Sequence, residues 1–271
     1  MGDSRDTKCP ICGGLDWRKI IDGPCFHIEE CAQRCIGRTV PPPTLDLSQN
    51  SPPDADGIAG IKDLESGHFR LARELLDDVA RIQPSGRLLD VGCGWGHLLK
   101  LALDMGYDAV GLDASQTAVD VAETAFQVKP ILSLFPGYVF EPCSFDIVTM
   151  NHVLEHLPRP ESALSEAWRI LKPEGVLAIG VPNFDSLMRR VRGANWQGIQ
   201  PSQHVWQYTA RSVAKLLCNA GFTLVGMRCI SLEYPRGPRS LPKWLMLKMA
   251  LATSQLLRIG DNAIVIARKQ Q

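Results

Sequence analysis

The sequence lacks an excess of charge of either sign. Its 271 residues include 29 basic and 29 acidic side chains, so the formal net charge at pH 7 is zero. Proteins that bind DNA, RNA or anionic lipid usually present a positive field, and here such a partner would need a local basic patch. The composition therefore gives no strong indication of a nucleic-acid partner, and we expect no general attraction to a membrane surface.

Long apolar runs are also missing. A membrane-spanning helix needs roughly 18 or more apolar residues in succession, and no run in this sequence reaches that length. The first residues, MGDSRDTKCPICGG, hold no apolar stretch of the kind that a signal peptide requires. These absences favour a cytoplasmic protein without a transmembrane segment, and a hydrophobic content of 45% is enough for a sizeable core.

Cysteine is unevenly distributed, with five of the nine cysteines among the first 35 residues. In a reducing compartment, clustered cysteines are more often metal ligands than disulfides. Cys9 and Cys12 have the two-residue spacing that turns two thiolates toward one ion. A proline-rich stretch follows, which predicts a linker at 41–62 between a small module at 1–40 and a main domain at 63–271.

Beyond the linker, helical and strand patterns alternate. Strand, helix and strand in succession form parallel units, so the alternation predicts a doubly wound, mostly parallel α/β sheet. The predicted helices cover residues 66–82, 97–106, 115–126, 161–175 and 209–221. The predicted strands cover residues 87–91, 108–113, 144–150, 176–181, 222–230 and 262–268.

The segment LLDVGCGWG at 88–96 is the most informative part of the sequence. Its glycines stand between a strand and a helix, where they allow a sharp turn and a close approach to a ligand. A dinucleotide fingerprint would need glycine at His97, so NAD is disfavoured. Asp113 ends the next strand, where a carboxylate can accept hydrogen bonds from both ribose hydroxyls. The pattern indicates a nucleotide-like cofactor, and a purely structural turn is the alternative.

Four segments together resemble class I S-adenosylmethionine-dependent methyltransferases, in the group that carries HVLEH after the fourth strand. They are LLDVGCGWG (88–96), GLDAS (111–115), FDIVTMNHVLEHLPRP (145–160) and LKPEGVLAIGVPN (171–183). The resemblance extends over 66–268 and implies a seven-stranded Rossmann-like sheet whose last strand is antiparallel. It also implies S-adenosylmethionine as the methyl donor.

The resemblance further implies which residues bind the cofactor. Asp90 and the glycine turn would hold the methionine part, Asp113 the ribose, and Asn151 with His152 would close over the cofactor. Tyr138 stands where the group usually has an acidic residue at the adenine, so it is expected to flank the purine. The full implied set is Asp90, Gly92, Cys93, Gly94, Gly96, Asp113, Ala114, Tyr138, Asn151 and His152.

Methyl transfer from a sulfonium is an in-line displacement, so the protein mainly positions the acceptor and excludes water. A hydroxyl acceptor also needs a base, for which histidine is the usual residue. His152 and His156 are four residues apart with Glu155 beside them, and they act in acid-base catalysis, bind a metal or only pack against the turn. His204 is either a base or substrate ligand, or a loop anchor.

Many members of the group begin with a zinc ribbon, and FHIEECAQRCIG at 26–37 resembles its second half, except that Cys31 and Cys35 are separated by three residues in place of two. We expect structural zinc on Cys9, Cys12, Cys31 and Cys35. The alternatives are a ligand set that uses Cys25 or His27, and a module without metal.

The acceptor side of this fold is built from two cap segments, 183–210 and 231–260. Trp196, Trp206 and Tyr208 in the first segment form either an acceptor pocket or part of the core. Residues 241–260 are apolar almost all round, so this segment packs over the acceptor pocket, forms a homodimer surface or contacts a lipid-linked substrate.

The sequence therefore predicts a methyltransferase that moves the methyl group of S-adenosylmethionine to a small-molecule, sugar or lipid-linked acceptor, with oxygen as the expected methylated atom. A ribosomal RNA methyltransferase with a zinc finger is one alternative, which the neutral charge disfavours. A non-catalytic protein that only binds S-adenosylmethionine is another, because a fold alone does not imply activity.

Overall fold

The computed structural model describes residues 7–44, 53–64, 66–231 and 259–270. Most of the apolar segment predicted at 241–260, namely 241–258, lies outside the described residues, and so does the homodimer surface proposed for it. Within the described ranges, no helix is long and apolar enough to cross a membrane.

Eleven strands and seven α-helices make up the described part of the chain. The strands are β1 (Trp17–Asp22), β2 (His27–Cys31), β3 (Gly37–Val40), β4 (Arg87–Val91), β5 (Asp108–Asp113), β6 (Ile131–Leu132), β7 (Phe145–Asn151), β8 (Leu171–Pro182), β9 (Trp206–Gln207), β10 (Phe222–Ile230) and β11 (Asn262–Lys269). The helices are α1 (Ala55–Ile61), α2 (Gly67–Ile82), α3 (His97–Asp104), α4 (Gln116–Phe126), α5 (Pro160–Ile170), α6 (Leu187–Arg192) and α7 (Ala210–Asn219).

A seven-stranded sheet forms the centre of the larger part, with the strand order β10-β11-β8-β7-β4-β5-β6. The five strands from β8 to β6 pair in parallel, whereas β11 runs antiparallel to both of its neighbours, β8 and β10. The predicted seven-stranded, mostly parallel α/β sheet with an antiparallel last strand is confirmed.

Helices cover both faces of this sheet. Ile147 and Val148 are neighbours on β7 and belong to two separate apolar clusters, because successive side chains of a strand point to opposite faces. Leu75 of α2 and Leu98 of α3 pack in the cluster of Ile147, and Leu216 of α7 packs in that of Val148. The sheet is therefore buried on both sides, which explains its almost continuous apolar strands.

The helix predicted at 161–175 ends earlier than expected. Helix α5 stops at Ile170, and Leu171 already has the extended backbone of β8. The physical reason is Pro173, since the residue before a proline is pushed out of the helical region and a proline cannot donate a backbone hydrogen bond. The first part of the predicted helix therefore belongs to α5 and the last part to β8.

The N-terminal module forms a second sheet with the strand order β1-β2-β3-β9, in which all neighbours are antiparallel. Strand β9 comes from the segment between β8 and α7, so the module shares its sheet with the larger part of the chain. Thr39 strengthens this junction, because its backbone N–H donates to Val205 and its hydroxyl donates to the carbonyl of His204 at 2.6 Å. The stretch 41–62, predicted as a linker, contains helix α1.

Candidate functional site

The glycine turn after β4 has the backbone that its sequence predicts. Gly92, Gly94 and Gly96 have φ values of +62°, +53° and +87°, which residues that carry a side chain rarely adopt. A Cβ on Gly92 would lie 2.5 Å from Val153, so this glycine is required for packing. A Cβ on Gly94 would meet nothing within 4 Å. Gly94 therefore leaves an open cradle at the carboxyl end of β4.

Asp113 at the end of β5 supports this cradle. Its Oδ2 accepts a hydrogen bond from the Gly94 N–H at 2.8 Å, and its Oδ1 accepts one from the Ser115 N–H at 2.9 Å. The side chain is half-buried, as is that of the adjacent Ala114. Asp113 follows Gly94 by 19 residues in the sequence. The structure brings the two residues into direct contact.

Asp90 is buried beneath the turn, with 2% of its surface exposed. Its Oδ1 accepts a hydrogen bond from the Thr149 hydroxyl at 2.8 Å, whereas its Oδ2 has no hydrogen-bond partner within the described ranges. Burial raises the pKa of Asp90 to about 7, and the negative charge of Asp113 adds to this rise. A buried acceptor without a donor is costly, so this oxygen fits a cationic or N–H group of a ligand.

The end of β7 brings Asn151 and His152 to the same edge of the sheet. The His152 N–H donates to the carbonyl of Gly180 at 2.8 Å, and His152 has a φ of +58°. A Cβ on Gly180 would lie 2.5 Å from Oδ1 of Asn151, so the glycine makes room for this side chain. Both residues are half-buried, as expected of groups that border a binding site.

Cys93 and Tyr138 also belong to the implied cofactor set, and both side chains pack against other residues. Cys93 is buried, and its Sγ would be 3.0 Å from a Cβ on Gly111, so its thiol fills the core and only its backbone faces the turn. Tyr138 is 41% exposed and packs against Phe140, with ring centroids 4.7 Å apart.

His97, which breaks the dinucleotide fingerprint, has a contact that the sequence does not reveal. It is buried at the start of α3, and its Nε2–H donates to the carbonyl of Ile61 at 3.1 Å. Burial lowers the pKa of His97 to about 4, so the ring is neutral at pH 7. Ile61 ends α1, and this hydrogen bond ties α1 to the start of α3, next to the glycine turn.

A second group of polar side chains lies in the loop after β7. Glu155, His156 and His204 each place one potential ligand atom within 4.8 Å of the other two. The rings of His156 and His204 meet edge to face with centroids 4.7 Å apart, and His152 Nδ1 lies 3.2 Å from Glu155 Oε1. The structure therefore gathers all three predicted histidines around Glu155. From the sequence alone, Glu155 is only a neighbour of His156.

The aromatic residues of the first cap segment are part of the core. Trp206 and Tyr208 are almost fully buried in the main apolar cluster, and Trp196 packs with Phe184 and Ile28 in a smaller one. Trp206 Nε1 donates to the carbonyl of Leu157 at 3.0 Å. These contacts favour the core interpretation over an open acceptor pocket.

The cysteines of the N-terminal module converge. Cys9, Cys12 and Cys31 place their sulfur atoms within 4.8 Å of one another, and those of Cys12 and Cys31 are 3.4 Å apart. Cys35 is outside this group of three, yet close enough that its pKa is raised by burial and by the neighbouring Cys12 and Cys31 thiolates. Three soft donors at this spacing fit a zinc ion.

The alternative ligands stand apart from the group of three. Cys25 is exposed and is not among the potential ligand clusters of the described residues. His27 has its Nε2 3.2 Å from Glu29 Oε1 in a half-buried pair. Compared with Cys25 and His27, Cys35 is therefore the better candidate for the fourth zinc ligand.

Comparisons with known proteins show the family of the chain. A family model described as a methyltransferase domain matches residues 65–226. A demethylmenaquinone methyltransferase of Renibacterium salmoninarum is 31% identical over 166 residues, which are 55% of this chain and 68% of that protein. A ubiquinone biosynthesis O-methyltransferase of Azoarcus is 33% identical over 118 residues, 41% of this chain and 51% of that protein. The chain thus spans about half the length of the Azoarcus relative.

Two further similarities concern the whole chain and the fold. An uncharacterized 37.1 kDa protein in a transposon of Streptomyces fradiae is 25% identical over 270 residues, 96% of this chain and 71% of that protein. The crystal structure of a SAM-dependent methyltransferase from Archaeoglobus fulgidus matches with a TM-score of 0.58 at 21% identity, over 80% of this chain and 100% of that one. At this identity, the structural match shows the fold alone.

Proposed function

The chain belongs to the methyltransferase-domain family, and from this premise we propose that it transfers the methyl group of S-adenosylmethionine to an oxygen atom of a small molecule. The observation that carries the cofactor part is the unpartnered Oδ2 of buried Asp90 beside the open cradle at Gly94. An ammonium group of the methionine part fits that oxygen, and a close backbone approach needs a glycine at the cradle.

When bound, S-adenosylmethionine supplies a methyl group on a sulfonium, which is already activated for displacement. The chain's own contribution is therefore positioning and exclusion of water. Asp113 is in place to accept from ribose hydroxyls while it holds the turn, and Asn151 with His152 borders the cofactor from the end of β7. The hydrogen bond from His97 holds α1 close to the start of α3.

His152 is the residue of this site best placed to take the proton of an acceptor hydroxyl. Its Nδ1 lies 3.2 Å from Oε1 of the buried Glu155 carboxylate, a contact without hydrogen-bond geometry in this structure. With the ring proton on Nδ1, Nε2 has the free lone pair. A carboxylate behind a histidine fixes its tautomer and stabilises the imidazolium that forms, as in hydrolase triads. His156 and His204, the other predicted catalytic residues, also lie at Glu155 and take no part in the proton transfer proposed here.

The names of the relatives support an acceptor of small size. The Azoarcus protein is named an O-methyltransferase of ubiquinone biosynthesis, and the Renibacterium protein acts on demethylmenaquinone by its name. Within the N-terminal module, Arg38 pairs with Glu29 and lies over the Trp17 ring at 4.3 Å. Since this arginine already has partners, the module gives little support to an RNA acceptor.

We also assign structural zinc to Cys9, Cys12 and Cys31, with Cys35 as the fourth ligand. The ion would hold β1 to β3 together, and through the pairing of β3 with β9 it would steady the segment that carries His204. Elemental analysis of the purified chain should find zinc, and Cys12→Ser should lose it. The matched variant Cys25→Ser, which changes an exposed cysteine of the same module, should retain it.

A transfer assay with radiolabelled S-adenosylmethionine and a panel of phenols, catechols and sugars tests the proposed reaction. We expect transfer to at least one hydroxyl acceptor, and we expect His152→Asn to lower the rate about 100-fold or more without loss of cofactor affinity, the range of general-base contributions. His27→Asn, a change in a half-buried histidine of the N-terminal module that also pairs with a glutamate, is the control. An unchanged rate in His152→Asn would remove the base from the proposal.

A further inference from the structure

Glu155 is a buried carboxylate that lies among three histidines, and its Oε2 has no hydrogen-bond donor within the described residues. Only 1% of its surface is exposed, and neither carboxylate oxygen accepts a hydrogen bond within the part of the chain that the structure describes. His152 Nδ1 lies 3.2 Å from Oε1, an ion-pair contact that leaves Oε2 facing no donor. A buried charge in this state is costly unless a cation or donor satisfies it.

Two histidines beside Glu155 are each held by a backbone carbonyl. His204 Nδ1 lies 3.0 Å from the carbonyl of Gly198, and His156 Nδ1 lies 3.2 Å from that of Gln203. A carbonyl can only accept, so both Nδ1 atoms carry the ring proton and both Nε2 atoms have the lone pair. Histidines that bind metals usually have this arrangement, in which a backbone carbonyl fixes the tautomer from behind.

The backbone holds the three residues in position without help from a ligand. Glu155 and His156 are consecutive in the short 3-10 helix Leu154–His156 at the end of the β7 loop. The Val205 N–H donates to the Glu155 carbonyl at 2.9 Å, which fixes His204 beside Glu155, and Thr39 holds the His204 carbonyl from the N-terminal module. A ligand set on a supported backbone is a requirement of a metal site.

We infer that Glu155, His156 and His204 form a binding site for a divalent transition metal of the zinc class, separate from the cysteine cluster. Two imidazoles and one carboxylate are a common ligand set for catalytic zinc and for non-haem iron(II), and they leave coordination positions open. Ions that prefer only oxygen ligands, such as Mg²⁺, suit this set less well. The potential ligand atoms already lie within 4.8 Å of one another.

An open coordination position on this metal would receive an oxygen of the acceptor and make a hydroxyl more acidic, as bound metals do for water. This role rests on the proposed function, whereas metal binding itself does not. Metal binding is therefore measured without cofactor or acceptor, and its failure leaves the transfer assay free to succeed.

Zinc titration of the full chain, with the cysteine cluster loaded beforehand, tests the site. We expect a further equivalent of zinc to bind, and Glu155→Gln and His156→Asn to weaken it by more than about 100-fold, since loss of a group that only orients a ligand already costs about 10- to 100-fold. His27→Asn should bind as the unchanged chain does. Binding of no further equivalent, or equal binding by Glu155→Gln, would overturn the inference.

Because replacement of the buried Glu155 carries a risk of misfolding, a second measurement uses the unchanged protein. Nitrogen NMR of the histidine rings should show Nε2 of His156 and of His204 shifting as zinc is added, while the buried ring of His97, which is bonded to Ile61, stays in place. Static resonances of His156 and His204, or a shift with Mg²⁺ and not with Zn²⁺, would contradict the assignment.

Discussion

Asp113 holds the glycine turn through Gly94, whose backbone N–H donates to Oδ2 of Asp113 at 2.8 Å. A carboxylate has enough acceptor sites to bind this N–H, that of Ser115 and the hydroxyls of a ribose together. The residue implied for ribose binding is thus also a structural support of the turn that would receive the methionine part. Cofactor affinity and the shape of the turn should therefore depend on the same side chain.

Replacement of Asp113 by alanine should weaken the binding of S-adenosylhomocysteine. Hydrogen bonds to a charged group contribute about 1.5 to 3 kcal/mol each, which corresponds to roughly a 10- to 100-fold loss of affinity. Isothermal titration calorimetry measures it. Asp113→Asn keeps one acceptor oxygen and should lose less; an affinity in Asp113→Ala equal to that of the unchanged chain would show that the carboxylate does not reach the cofactor.

The cradle at Gly94 is tested by a pair of glycine variants. Gly94→Ala and Gly106→Ala both place a methyl group at a positive φ with nothing within 4 Å, so both should lower stability by about 1 to 2 kcal/mol. Only Gly94 lies beside Asp113, so only Gly94→Ala should also abolish binding of S-adenosylhomocysteine. Urea unfolding and calorimetry on both variants separate the two effects, and equal loss of binding in both would argue against the cradle.

Thr39 should link the N-terminal module to the histidine group. Its hydroxyl donates to the buried carbonyl of His204 at 2.6 Å, so Thr39→Val leaves that carbonyl without this donor and should cost about 1 to 3 kcal/mol. We also expect faster hydrogen exchange at the Val205 amide, which donates to Glu155. Thr39→Ser retains the hydroxyl, so its Val205 amide should exchange at the rate seen in the unchanged protein. Equal exchange rates at Val205 in the Thr39→Val and Thr39→Ser variants would disprove the link.

Asp90 should make stability depend on pH. Its pKa is raised to about 7 in the folded state from an ordinary 3.8, so the folded chain holds a proton there that the unfolded chain has lost. The stability that this protonation contributes is present below about pH 4 and is lost as the pH rises through 7. Asp90→Asn, which never ionises, should therefore be stabilised relative to the unchanged chain by more at about pH 8 than at about pH 5.

Urea unfolding of the cofactor-free protein at the two pH values measures this difference for Asp90. Thr149→Val removes the hydroxyl that donates to Asp90. This change should raise the pH at which the stability from Asp90 protonation is lost, because that hydrogen bond favours the charged carboxylate. A difference between Asp90→Asn and the unchanged chain that does not vary with pH would mean that Asp90 titrates near its usual value.

The sequence was sufficient for the larger sheet because its strands are short apolar runs between glycines and helical segments. Strands β4, β5 and β7 lie within a residue of their predicted bounds, and the glycine turn has the positive φ values that its composition requires. Two-residue strands such as β6 and β9 carry no periodic pattern, and they form only because a neighbouring strand presents free backbone groups. The sequence therefore predicted neither strand.

Contacts between distant segments account for what the sequence could not predict in the site. Glu155 is next to His156 in the chain, but the approach of His204 from 48 residues further on depends on the pairing of β3 with β9. His97 was informative only as the residue that breaks a glycine pattern, and its hydrogen bond to Ile61 depends on where α1 packs. Tyr138 lies outside the helices and strands, so no periodic pattern predicts the contacts of its side chain.

Calorimetric titration of the metal-loaded chain with S-adenosylhomocysteine, with NAD as the control ligand, tests the central claim most directly. The account predicts micromolar binding of S-adenosylhomocysteine alone, because Asp90, Asp113 and the turn at Gly94 form a site for an amino acid joined to a ribose. Absence of binding by both ligands, or equal binding of NAD, would contradict it and leave the glycine turn as a structural element of the fold.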